Sequence, residues 1–365
     1  MKASDNANPP ASAIRSEFID AGRAIAALSV FFQHSIEEVS EGFRSFTTNY
    51  FSLGIFGVTL FFLISGYIIP PSIARAGLLR FWINRFFRLY PLYWVSIVLV
   101  LVFSALAGDA HHTFEIKDVA INVTMFQEYL RTPHLMALYW TLSMEMLFYI
   151  LCCFAWWAVK PKYNYASTMT LACVGVALPV ANVAFADHSL PWGRLLILLS
   201  AFFGKHIREE GSFLSRRTVW VTGLMVGAIF SCGTVRFGLL PAARSAGEPS
   251  FSAVCAIASY LAAYGVFGVL FAARHRAFAP SVIAVGTWCY SIYLLHPFVV
   301  RMLSTAGPPF FSISVALLAC LCVSWASWIF FEKPIIGFGK ILSGRLVRAQ
   351  TKDQSAPAAS CSPQA

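Results

Sequence analysis

The sequence predicts an all-α integral membrane protein of about ten transmembrane helices with both termini in the cytoplasm. Composition, run length and charge placement each point that way. At 58% hydrophobic and 12% charged residues, with a mean hydropathy of +0.67, the 365-residue chain lies well outside the balance of a soluble domain. Its apolar residues gather into runs close to the ~20 residues a helix needs to cross the hydrocarbon core. With the N-terminus cytoplasmic, the predicted inner segments hold nineteen Lys and Arg and the outer ones six, while Arg23 and Arg194 lie within helices. That asymmetry obeys the positive-inside rule.

Taken in order, the predicted spans are 18–38, 51–70, 90–108, 138–158, 167–185, 190–204, 218–235, 253–272, 282–300 and 311–331. The run 190–204 is short and contains Arg194. The stretch VAINVTMFQEYLRTPHLMA, 119–137, is amphipathic and too polar for an equal span, so it is assigned to the membrane interface. As a span it would put Lys160 and Lys162 outside and invert several later loops. Residues 1–17, polar and proline-bearing, read as a cytoplasmic segment. The apolar run after them has no small-residue cleavage site, so the first helix is expected to stay as an anchor. Residues 18–334 read as one membrane domain, and 335–365, rich toward the end in Ala, Ser, Pro and Gln, as a disordered cytoplasmic tail.

The formal charge of +10 is spread over short loops, and no recognition module accompanies it, which argues against nucleic-acid binding. The nine cysteines lie mostly in apolar runs without metal-type spacing and read as packing residues; no metal site is expected. No soluble catalytic domain fits anywhere in the chain, so any chemistry falls to the membrane helices.

Ionisable groups within a span cost about 2.5–3.5 kcal/mol each near its centre on insertion scales, and so need a reason. FIDAGRAIAALSVFFQHS places Arg23 and His34 eleven positions apart, about 16 Å along a helix. Asp20, three residues before Arg23, can neutralise it. A snorkelling arginine and a hydrogen-bonded buried histidine would account for the same residues. In RFWINRFFRLYPLYW, Arg85 and Arg88 lie one turn apart at the cytoplasmic surface, where planar paired donors suit phosphate, as does an ordinary positive loop. YWTLSMEMLFY carries Glu145, a carboxylate able to move a proton, orient an imidazole or close a polar network; its depth matches that of His34, which permits a contact. Ser65 and Gly66 form a notch for close helix approach. WCYSIYLLHPFVV brings Tyr290, Tyr293 and His296 near the outer end of a span.

These stretches, with Tyr149 closing WTLSMEMLFY and FEKP at 331–334, together resemble the acyltransferase family 3 membrane proteins, which acylate bacterial polysaccharides, O-antigens, exopolysaccharides and nodulation factors. Each block is a weak signal, and their joint occurrence in order is a strong one. Two departures are minor: Met146 stands where a second acidic residue is common, and Gln33 precedes His34.

The resemblance implies a bacterial inner-membrane O-acyltransferase moving an acyl group, acetyl by default, from cytoplasmic acyl-CoA to a carbohydrate hydroxyl. His34 would be the general base or the covalent acyl carrier, with Glu145 beside it. Arg23, Arg85 and Arg88 would meet the coenzyme A phosphates, acyl-CoA being a donor substrate and not a resident cofactor. Asp20, Ser65, Tyr149, Tyr293 and His296 are structural or substrate-side candidates. The implied partners are the lipid bilayer, a polysaccharide, lipid-linked oligosaccharide or lipopolysaccharide acceptor, and glycan-assembly proteins. The residues by themselves equally suit a proton-coupled transporter or flippase, although no inverted repeat is evident. A structural scaffold for glycan assembly would instead tolerate alanine at the intramembrane charges.

Overall fold

The structure, a computed structural model, describes residues 11–106, 114–158, 164–185, 191–235, 251–303 and 307–355, and every regular element among them is helical. The expected segments 1–17 and 335–365 lie in part outside the described residues. In chain order the helices are α1 (Ala11–Val39), α2 (Glu41–Asn49), α3 (Leu53–Ala76), α4 (Leu78–Leu106), α5 (Ile116–Val123), α6 (Tyr139–Ala158) and α7 (Asn164–Phe185). There follow α8 (Trp192–Glu210), α9 (Arg216–Thr234), α10 (Ala253–Ala272), α11 (Pro280–Thr287), α12 (Cys289–Leu303), α13 (Pro309–Ser327) and α14 (Lys333–Ser355). A π-helical turn, Trp328–Glu332, joins the last two.

Among the described residues, six helices are long and apolar enough to cross a membrane, or seven if the bent pair α11 and α12 is one span. The protein is a multi-pass membrane protein. Helices occupy the three other expected spans, as α1, α8 and α9, but are more polar than a freely lipid-exposed span. For α1 the physical reason is its surroundings. It packs against α3, α10, α11, α12 and α13, and a helix screened by other helices needs no apolar girdle.

The closest helix crossing joins α3 to α8 at the predicted notch. A Cβ on Gly66 would lie 1.7 Å from the Ala201 carbonyl oxygen, and one on Gly204 would lie 2.0 Å from that of Leu63. Only hydrogen fits at either position, so backbone packs directly on backbone.

The C-terminal end of α1 is tied to α3 by Gln33, whose amide oxygen accepts from Ser52 Oγ at 2.9 Å and from the Gly54 amide at 2.6 Å. Ser52 in turn caps α3 by accepting from the Ile55 amide. These bonds fix the position of the adjacent His34.

The structure corrects several expectations. α1 begins at Ala11, seven residues before the expected start. The span 282–300 is two helices meeting at 72° around Trp288. The expected tail instead continues as α14 through Ser355 and packs on the first half of α4, with Gly339 against Phe87 and Ser343 Oγ donating to Asn84 Oδ1 at 3.2 Å.

Segment 119–137 is not a span, but it does not lie apart at an interface either. Tyr93, Tyr90 and Trp94, near the middle of α4, donate to the carbonyls of Asn122, Thr124 and Val123 at 2.7, 2.9 and 3.1 Å. These donors satisfy the C-terminal carbonyls of α5, so the chain can turn against the side of α4. In consequence α6 starts deep: the Tyr139 hydroxyl at its first residue lies 2.8 Å from Ser96 Oγ, well before α4 ends at Leu106.

Candidate active site

Five helices converge on a cavity of about 700 Å³, counted with its open mouth. α1 contributes Arg23; α3 contributes Phe61 and Ser65; α4 contributes Arg85 and Arg88; α6 contributes Thr141, Glu145 and Tyr149; α12 contributes Cys289, Tyr290 and Tyr293. Three guanidiniums thus share one concave surface with one carboxylate. Cys289 and Tyr290 are the first residues of α12, so the N-terminal end of that helix, where its dipole is positive, borders the same space. An anionic ligand is the natural occupant.

Each arginine is held differently. Arg23 pairs with Asp20 at 3.3 Å, as the three-residue spacing predicts. Arg88 lies 5.5 Å from the Trp328 ring centroid, and its charge acts on the buried Glu332, which accepts from Ser291 Oγ. Arg85 lies between the rings of Phe81 and Tyr149, at 5.7 and 5.9 Å, and its buried Nε has no hydrogen-bond partner. The guanidinium as a whole lines the cavity, where its terminal nitrogens can meet a ligand oxygen.

The two histidines continue from the Tyr293 side of the cavity. Tyr293, on the cavity wall, has its ring centroid 6.2 Å from that of His296, which stacks on His34 at 5.4 Å. His296 is fully buried; its Nδ1 lies 3.0 Å from the Ile292 carbonyl, and its Nε2 has no partner. A protonated Nδ1 donating to that carbonyl would leave Nε2 as an unpaired acceptor. His34 is the exposed member of the pair.

Glu145 is not brought to His34. Its hydroxyl partner is Tyr149, one turn along α6, and it faces the arginine cavity. The deep start of α6 is the physical reason, since it lowers every residue of that helix relative to the depth expected for a span beginning at the membrane surface.

A family model described as an acyltransferase domain matches residues 16–332. The chain belongs to this acyltransferase family. It is 26% identical over 313 residues to the exopolysaccharide production protein ExoZ of Rhizobium meliloti, covering 80% of this chain and 93% of that one. It is also 30% identical to the peptidoglycan O-acetyltransferase OatA of Listeria monocytogenes (40% of this chain, 25% of OatA). A third relative, the acyltransferase MdmB of Streptomyces mycarofaciens, is 27% identical over half of this chain and 49% of its own length. No solved structure matches the chain.

Some residues of this acyl-transferring enzyme gain a position that sequence reading did not assign. Glu332 sits in the quoted FEKP block, and its burial was invisible until the π turn aimed it inward. Glu128 binds His134 Nε2 at 2.9 Å and Arg194 at 2.7 Å, which clamps the segment before α6 to α8 and gives Arg194 its partner.

Burial alone would raise the Glu128 carboxyl, but the His134 hydrogen bond and the Arg194 guanidinium outweigh it and hold it below its usual 4.5. A depressed carboxyl contributes stability above its unfolded value and loses it as pH falls through the folded one. The melting temperature of the acyltransferase should therefore drop as pH is lowered below about 4.5. The Glu128→Gln enzyme should start lower and lose less over that range. Identical pH slopes for the two proteins would remove Glu128 from this role.

Proposed function

We propose that this enzyme transfers an acyl group, acetyl by default, from cytoplasmic acyl-CoA to a hydroxyl of a cell-envelope or extracellular carbohydrate at the outer side of a bacterial inner membrane. The observation that carries the reading is the arginine cavity with the His296–His34 row beyond its far end. Arg23, Arg85 and Arg88 suit the phosphates of coenzyme A. The pantetheine arm then runs along the bundle, over about the 16 Å that separates positions 23 and 34 of one helix. His34, open at the other end, removes the acceptor's proton or carries the acyl group itself. Ten crossings, with α1, α8 and α9 counted among them, and cytoplasmic termini complete the proposed topology.

ExoZ and OatA are named for exopolysaccharide production and peptidoglycan O-acetylation, which supports a glycan acceptor. The match to nearly all of ExoZ favours an exopolysaccharide within that class.

Purified protein in lipid, given acetyl-CoA with or without a cell-envelope glycan extract, tests the reading. Glycan-dependent release of free coenzyme A is the expected result. Folded protein that releases none from acetyl-, succinyl- or longer acyl-CoA would overturn it and favour the transporter.

A further inference from the structure

Two buried hydroxyls from different helices, those of Thr141 on α6 and Tyr293 on α12, meet on the wall of the arginine cavity, 2.6 Å apart. Their hydrogen bonds are unequal. The Leu138 carbonyl lies 2.9 Å from Thr141 Oγ1 and 3.3 Å from the Tyr293 hydroxyl; with Thr141 making the shorter of these bonds, the proton that bridges the pair is that of Tyr293. Tyr293 can withdraw this proton and turn it to another oxygen while Thr141 keeps its own partner. Leaving a buried hydroxyl wholly unpaired would be costly; here that cost is absent. The Tyr293 ring is fixed meanwhile by edge contacts with Phe61 and by its neighbour His296.

We propose that Tyr293 is a catalytic residue, the hydroxyl that donates to the carbonyl oxygen of the donor thioester as negative charge develops there. The inference rests on the acyl-CoA reading above. A donor whose phosphates lie on the arginines would bring its thioester to the far wall of the cavity, where Tyr293 stands between that space and the histidines. As the acceptor oxygen attacks, the carbonyl oxygen gains charge and takes the Tyr293 hydrogen bond. The carbon–sulfur bond then breaks and the ester carbon–oxygen bond remains. The proton from the acceptor hydroxyl passes through histidine to the sulfur, which leaves as the coenzyme A thiol. A preorganised donor in a water-poor site supports such charge strongly.

Two variants separate this role from a packing role, because both remove the same resting hydrogen bond and only one removes the donor. Tyr293→Phe should lower kcat by about 10²–10³, the loss typical of a missing oxyanion donor, with the KM for acetyl-CoA nearly constant. Thr141→Val keeps the Tyr293 proton, and its loss should be at least tenfold smaller. Thermal unfolding of both variants checks that they are folded. Equal losses in the two variants, or a Tyr293→Phe loss that tracks its melting temperature, would overturn the inference. A wild-type enzyme that releases no coenzyme A would overturn the underlying reading, and the inference with it.

Discussion

Replacing His34 with alanine is expected to lower glycan-dependent coenzyme A release by about 10²–10⁴, the range a positioned acid–base group supplies, and to abolish it if His34 carries the acyl group. The fold should survive the change. His34 is exposed, its ring partner is His296, and the tie between α1 and α3 belongs to its neighbour Gln33. Melting temperature within a few degrees of wild type should accompany the lost rate. Single-turnover measurement with labelled acetyl-CoA reads the chemical step directly. A folded His34→Ala enzyme of undiminished rate would remove the imidazole from the mechanism and leave the arginine cavity without a reaction centre.

The arginines should respond differently from His34 and from each other. Arg85→Ala removes a guanidinium that lines the cavity, so its effect should fall on donor binding: a KM for acetyl-CoA raised about 10–100-fold with kcat nearly constant. Lysine at the same position should recover only part of this, because it replaces a planar fork with a point charge. Arg88→Ala should raise KM and also lower the melting temperature, since Glu332 is buried nearby and loses the charge that acts on it. If KM were unchanged in both alanine variants, the phosphate assignment of the cavity would fail.

Much of this site was legible in the sequence because the constraints behind it are local. An eleven-residue interval on one helix fixes how far His34 lies from Arg23, and the Asp20–Arg23 pair follows from three-residue spacing. Gly66 marks the tight crossing on α8 because a missing side chain is itself the signal, while its neighbour Ser65 lines the cavity. What escaped depends on where helices start and bend. Glu145 was assigned the depth of His34 on the assumption that its helix begins at the surface. Tyr90, Tyr93 and Trp94 instead hold the preceding segment against the side of α4, and Glu145 joins the arginines. The bend at Trp288 and the π turn at Trp328–Glu332 bring Tyr290 and Glu332 inward, and neither is announced by apolar periodicity. The helix after FEKP was missed for a related reason. Its stability comes from packing on α4, through Gly339 and Ser343, and not from composition.

In the proposed mechanism the donor binds at one face of the membrane and the acceptor meets its acyl group at the other. Proteoliposomes of uniform protein orientation, with labelled acetyl-CoA on the arginine side only and acceptor glycan on the His34 side only, test it directly. Label should appear in the glycan across an intact bilayer, coupled to coenzyme A retained on the donor side. Transfer that occurs only when both substrates share one compartment would contradict the account.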